Sequence, residues 1–250
     1  MWRGRLRELL SDGELGEQQF ATMLPDLDDC VEQCPLTTED SAHLLTAYGE
    51  RDTSVLIPGT VELCRQLGIK HPKISDSSET TLWRATTDLV LVFKREQSPR
   101  TLLALAFKPS GWDKGRRTKE LLKLEREYWI RRGVPWLLIT PELYDFRVVL
   151  TLRRIACWAL AEDVPIEARR LAARVARERA GFSVTRVLEV IASMVGSMEL
   201  SQRALWQAVW NGDLPIDLRR GWRPHVPLQL IPADEFTNLN PIASRRSAWI

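Results

Sequence analysis

The 250 residues hold no long apolar run, only three histidines, and four cysteines without a single C-x-x-C pair. Each scarcity excludes something. Without about 20 uninterrupted apolar residues no helix crosses a bilayer. The start MWRGRLRELLSDGE also lacks the apolar stretch of a secretory signal, so a cytoplasmic protein with no membrane partner is expected. Cys30, Cys34, Cys64 and Cys157 offer one C-x-x-x-C spacing, and His43, His71 and His225 add no zinc-binding set. Four reduced thiols are expected. A net charge of only +2 does not drag the whole chain onto nucleic acid, so any basic surface is local. Internal repeats and low-complexity segments are also missing.

What is present is 44% hydrophobic and 27% charged content, enough for one large core or two smaller ones, and two domains are expected. Arginine recurs in Arg3-x-Arg5-x-Arg7 and in the pairs 116–117, 131–132, 153–154, 169–170, 219–220 and 245–246. Most such groups belong to solvated surface, and a minority to phosphate binding. Residues 3–23 read as a helix weakened by Gly13 and Gly16. Residues 31–36 read as a short strand or a turn, Thr37 opens a stretch of helical character, and 58–67 form a short helix stopped by Gly68. Strands over 82–93 and 101–108 form a hairpin across KREQSPR. A helix over 115–133 and a fully apolar strand over 134–140 then make a crossover, so this half is α/β or α+β. Beyond a composition shift near 160–180, two short helices (SVTRVLEVIASMVG, SQRALWQAVWNG) and two β segments (DLPIDL, HVPLQLI) outline a winged-helix-like module. The polar stretch after Pro232 reads as a flexible or partner-ordered end whose removal leaves the core intact. The domains expected are thus 1–165 and 166–250.

The two hairpin strands each carry one charge: Asp88 early in TTDLVLVF, and Lys108 at the end of TLLALAFK, where Pro109 stops the ladder. Taken singly, Asp88 is a solvated end residue or turn cap and Lys108 a snorkelling lysine. Taken together, they give Asp, nineteen intervening residues and Lys, the D…x-x-K pattern of restriction-endonuclease-like nucleases, whose strand pair presents acid and amine to one scissile phosphate. The slot for that pattern's second acid holds Ala106, so a carboxylate must come from elsewhere. Glu125 falls on the stripe of Leu121, Tyr128 and Trp129 and should face the sheet, a costly place for an unpaired acid. Glu14 lies on the N-terminal helix and, on its own, reads as a surface glutamate.

LLSDGEL (9–15), EQCPL (32–36), GIKHP (68–72), TTDLVLV (86–92), FKPS (107–110), KLEREYW (123–129) and VPWLLIT (134–140) resemble, in order and in spacing, the TnsA family. This is the endonuclease subunit of heteromeric transposases of the Tn-seven type. The resemblance spans about residues 5–145, and the segments from 165 on agree in outline with the family's winged-helix-like carboxy-terminal domain. It implies a restriction-endonuclease-like N-terminal domain with Asp88 as metal aspartate, Lys108 as catalytic lysine, and Glu14 and Glu125 as the further acids. With the carbonyl of Phe107 as a hard-cation ligand, the expected cofactor is Mg²⁺, replaceable by Mn²⁺. The partners implied are double-stranded DNA at transposon ends, an integrase-like transposase, and an AAA+ ATPase docking on the carboxy-terminal region. Two rival readings are a stand-alone restriction or repair nuclease, and a decayed nuclease acting as a DNA-binding scaffold, for which Ala106 speaks.

Overall fold

A computed structural model describes residues 9–75 and 79–249. Arg3, Arg5 and Arg7, and the start of the helix expected over 3–23, lie outside the described residues. In chain order the elements are α1 (Asp12–Thr22), β1 (Leu27–Pro35), α2 (Thr60–Leu67), β2 (Lys73–Ser75), β3 (Thr80–Leu82), β4 (Thr86–Phe93), β5 (Thr101–Phe107), α3 (Arg116–Arg131), β6 (Trp136–Ile139), α4 (Phe146–Ala159), α5 (Ile166–Glu178), α6 (Val184–Val195), α7 (Met198–Trp210) and α8 (Ala233–Leu239). They form two compact units, one from residues 9–14, 26–140 and 247–249, the other from 15–25 and 141–246. The units part after Thr140, and the boundary expected at 165 falls inside the second, between α4 and α5.

The first unit is built on a sheet of order β1-β4-β5-β6. The expected hairpin is there: β4 and β5 run antiparallel with Leu89 opposite Leu105 and Phe93 opposite Thr101. β6 returns parallel to β5, and α3 makes the crossover that a parallel pair needs. Val90, Val92, Ala104, Ala106 and Leu138 join Leu122 and Trp129 of α3 in one buried cluster, each large side chain stabilising by about 1.5–3 kcal/mol. The strand expected over 82–93 is in fact split, because residues 80–82 pair with β2 in a separate two-stranded sheet. β1 is longer than expected, and Pro35 ends it on the sheet's edge, where a missing N–H is tolerated.

The helical character expected after Thr37 shrinks to a 3₁₀ turn, Leu44–Tyr48, capped by His43. The Nδ1 of His43 accepts the Leu45 N–H at 3.1 Å, so the neutral ring donates from Nε2 to the Arg132 carbonyl at 3.0 Å. Burial and then the Arg51 charge hold this imidazole below its ordinary proton affinity. The unfolded histidine therefore binds protons first, and the contribution to stability is present above about pH 6.5 and lost as pH falls toward the folded value. Denaturant unfolding should show wild type losing its advantage over His43→Gln as pH falls from neutral into this range. A pH-independent gap would contradict the assignment.

The end of the chain corrects an expectation. Residues after Pro232 are not a loose tail: α8 buries Phe236 and Leu239, and the Asn240 amide donates to the Phe20 carbonyl at 2.8 Å. In the first unit, Ser247 Oγ accepts the Leu138 N–H and the Ala248 N–H donates to the Leu138 carbonyl, while the Trp249 ring meets Trp112 and Trp136. These bonds satisfy backbone groups of β6 that would otherwise stand open on a sheet edge. Removing the end would uncover them.

The second unit is helical. α7 packs against α4, α5 and α6, with Ala204, Leu205, Trp206, Ala208 and Val209 buried. The sequence reading anticipated α6 and α7 but not α4, whose Val148, Val149, Leu152 and Ile155 face inward after the Asp145 cap. Gly16 does not break α1, since its bare Cα fits where a Cβ would lie 3.2 Å from Val149. The two expected β segments reduce to isolated bridges, Ile216 opposite Leu230 and Pro227 opposite Ser183, the first flanked by the Asp217 N–H on the Gln229 carbonyl.

Candidate active site

Asp88 and Lys108 point the same way. Asp88 Oδ2 accepts the backbone N–H of Phe107 at 2.7 Å, a side-chain bond that ties β4 to the end of β5. The Lys108 ammonium lies 3.4 Å from the same oxygen and 2.7 Å from the Phe107 carbonyl, and both side chains are partly shielded from water. The answer to why a sheet carries an acid and a base here is that they pair at its end.

Glu125 arrives from α3, as the stripe predicts. Its Oε1 accepts the Thr87 hydroxyl at 2.9 Å and the Trp136 indole N–H at 3.2 Å, and the Trp129 indole donates to the same hydroxyl at 2.7 Å. Burial, reinforced by the Asp88 charge, pushes this carboxyl up to about 7, against the opposing pull of those two bonds and of Lys108. Glu125 thus lies within electrostatic reach of the Asp88–Lys108 pair without touching it.

Glu14 reaches the site differently. Ser11 and Glu14 form a capping box at the start of α1: the Glu14 N–H donates to Ser11 Oγ at 3.2 Å, and its Oε2 accepts the Leu10 N–H at 2.9 Å. Gly13 makes the approach to β5 possible, because a Cβ there would fall 2.1 Å from the Phe107 ring. The same Oε2 accepts Gln33 Nε2 at 3.2 Å, and Gln33 Oε1 accepts the Thr86 hydroxyl at 2.9 Å. Gln33 lies opposite Asp88 in the ladder, between the pairs Glu32–Leu89 and Cys34–Thr87, with φ +47°. A left-handed non-glycine costs about 1–2 kcal/mol, which the bonds of that amide to Glu14 and Thr86 help offset.

Gln33 falls within EQCPL, where no local pattern marks it. Gln33→Ala should weaken Mn²⁺ binding by about 10- to 100-fold with little change in melting temperature, as loss of an outer partner does elsewhere. Unaltered Mn²⁺ affinity by calorimetry would remove Gln33 from the site.

The donor chemistry fits a hard divalent cation. Two oxygens, Asp88 Oδ2 and the Phe107 carbonyl, already converge on one positive group, the Lys108 ammonium, and Glu125 carries excess proton affinity beside them. The fit is incomplete in one respect: among the described residues no three His, Cys, Asp or Glu side chains converge as an ion-holding group. The three carboxylates therefore do not meet as closely as the sequence reading expected. Glu14 is engaged by its cap, and Glu125 by Thr87 and Trp136. Ala106 is fully buried in the core cluster and supplies no oxygen.

The site thus consists of an acid and a lysine paired at the end of a hairpin in a mixed α/β sheet, with Glu125 within the field of that pair and Glu14 linked to β4 through Gln33 and Thr86. In comparison with known proteins, residues 51–141 match the family described as TnsA-like endonuclease N terminal. The chain is also 29% identical, over 137 residues, to transposon Tn7 transposition protein TnsA of Escherichia coli, a match covering 55% of this chain and 41% of that protein. The chain is thus similar to TnsA proteins over about half of its own length and spans less than half the length of that relative. Asp88, Phe107, Lys108 and Glu125 fall inside the matched family segment, and Glu14 and Gln33 lie before it.

Proposed function

We propose that the chain is the DNA-cleaving subunit of a cut-and-paste transposase, hydrolysing phosphodiesters at the 5′ ends of the element in a Mg²⁺-dependent reaction. The pairing of Asp88 with Lys108 across the β4–β5 hairpin, within a segment that matches a TnsA-like endonuclease, carries this reading. Asp88, the Phe107 carbonyl and Glu125 would hold the cation, with Glu14 as a further ligand placed by Gln33. When bound, a divalent cation supplies a nucleophilic water at neutral pH and stabilises charge developing on the phosphate.

The remaining steps belong to the chain itself. The Phe107 N–H holds the Asp88 carboxylate in one orientation before any substrate arrives. Lys108, a compact charge on a flexible stem, leaves the Asp88–Phe107 oxygens and turns its ammonium to the scissile phosphate or the attacking water. Glu125, its carboxyl pushed up to about 7, would release that proton on taking a cation, so cation binding at neutral pH would be coupled to proton release.

On this reading an integrase-like transposase cuts and joins the 3′ ends, and an AAA+ ATPase docks on the carboxy-terminal region. On the same reading the unit that carries Asp88 and Lys108 is the catalytic one, and residues 166–246 of the other act as a winged-helix-like partner-binding region, in the cytoplasm. No helix among the described residues is long and apolar enough to cross a membrane. The test is cleavage of transposon-end DNA by the purified chain in Mg²⁺, with and without the integrase-like subunit: 5′ strand cuts that need both proteins are expected. Efficient cutting of unrelated DNA by the chain alone would establish the stand-alone nuclease instead.

A further inference from the structure

In the second unit an open cavity of about 430 Å³ is lined by Arg147, Asp217, Arg219, Arg220 and Arg223. Four guanidiniums face one carboxylate. Arg147 comes from the first turn of α4, and the other three from the loop between the bridged residues Ile216 and Leu230. Like charges gather at this density only where something braces them or something fills the space between them.

Bracing is visible. Asp145 holds Arg147 through Nε at 3.0 Å, and Arg219 is clasped between Asp217, 2.6 Å from its Nε, and Glu235, 2.6 Å from Nη2. Asp217 is itself largely buried and also accepts the Arg219 N–H at 3.0 Å, which fixes the turn. A guanidinium has five N–H donors, so each braced arginine keeps donors for a ligand while its rotamer freedom is already lost. Arg220 bonds the Gln229 amide oxygen and shares the Asp217 charge with Arg219, and Arg223 follows on the same loop. Both are exposed, so counting Asp145 and Glu235 as well leaves the groove positive.

We propose that this groove binds the phosphodiester backbone of duplex DNA, giving the second unit a DNA-holding surface separate from the cleavage site. The chemistry on the page is that of an anion with several adjacent oxygens, which planar, braced guanidiniums match in forked pairs. Choosing DNA as the carrier of those oxygens rests on the nuclease reading above. Phosphate contacts position a protein on DNA without reading sequence, so the groove sets register and hold, and specificity lies elsewhere.

The test measures binding of the full chain to a short fluorescent duplex in chelator, where cleavage is silent, over a series of salt concentrations. Arg220→Glu/Arg223→Glu should weaken binding at least about tenfold and reduce the slope of log affinity against log salt by about 2. A matched reversal on α5, Arg170→Glu/Arg174→Glu, should leave both within a factor of about two, and inorganic pyrophosphate should compete poorly. Three results would overturn the proposal: an unchanged salt slope, an equal loss in the α5 pair, or displacement of the duplex by pyrophosphate at matched phosphate concentration. If the reversed pair melts early, Arg220→Gln/Arg223→Gln keeps the test open, with a slope change of the same sign required. The nuclease reading fails separately, on cleavage by Asp88 variants, so the two outcomes stay distinct.

Discussion

Asp88→Asn should lower the rate of DNA cleavage by on the order of a thousandfold or more, while affinity for duplex DNA in chelator stays within a few-fold of wild type. Asparagine is the informative replacement because its carbonyl can still accept the Phe107 N–H, so the hairpin end keeps its 2.7 Å bond and the fold is not the variable. Alanine would leave that N–H without its partner at a cost of about 1 kcal/mol, mixing a stability effect into the rate. The large loss follows from what the site lacks. Ala106 offers no oxygen, and Glu14 and Glu125 are anchored by hydrogen bonds on other elements, so neither can bring a second oxygen to the position Asp88 occupies beside the Phe107 carbonyl. Cleavage by Asp88→Asn at the wild-type rate would end the nuclease assignment at this hairpin.

Lys108→Met should act in opposite directions on two measurements. The ammonium sits on Asp88 Oδ2 and the Phe107 carbonyl, the two oxygens assigned to the cation, so in the cation-free protein the lysine competes for that place. Methionine keeps the aliphatic stem along β5 and removes the charge. Mn²⁺ affinity by calorimetry should rise by about tenfold, ~1.4 kcal/mol, as expected for losing one partly screened positive neighbour. Cleavage should fall by at least about a hundredfold, because the group that neutralises the phosphate or holds the water has gone. Mn²⁺ binding that is unchanged or weaker in Lys108→Met would show that the ammonium and the cation do not share a position.

Much of the first unit was legible in the sequence because period and length agree there. TTDLVLVF and TLLALAFK are too short and too apolar for anything but paired strands, and the stripe through Leu122, Glu125 and Trp129 fixes which face of α3 turns inward. The acid and base at Asp88 and Lys108 were legible for the same reason, since register follows from the hairpin. Gln33 was not. Its importance depends on a left-handed backbone in β1 and on partners 19 and 53 residues away, neither of which leaves a local pattern. The capping role of Glu14 was available in Ser11-x-x-Glu14, and it accounts for the order of a glutamate that also bonds Gln33 on another element.

The end of the chain misled for a different reason. A polar, irregular composition after Pro232 signals an absence of periodicity, and a segment that docks through single residues such as Asn240, Ser247 and Trp249 has none to show. The four arginines of the groove were equally hidden, because only Arg219 and Arg220 are neighbours in sequence and Arg147 belongs to another element.

The most direct test of the central claim is to locate the bound cation itself. Iron(II) loaded into the chain in place of Mg²⁺, with peroxide and ascorbate, cuts the backbone beside the ion. Fragments ending near Asp88, near Phe107–Lys108 and near Glu125, with a fainter cut at Glu14 and all suppressed by excess Mg²⁺, are the predicted result. Cuts confined to other segments, or cuts that Asp88→Asn leaves unchanged, would contradict it.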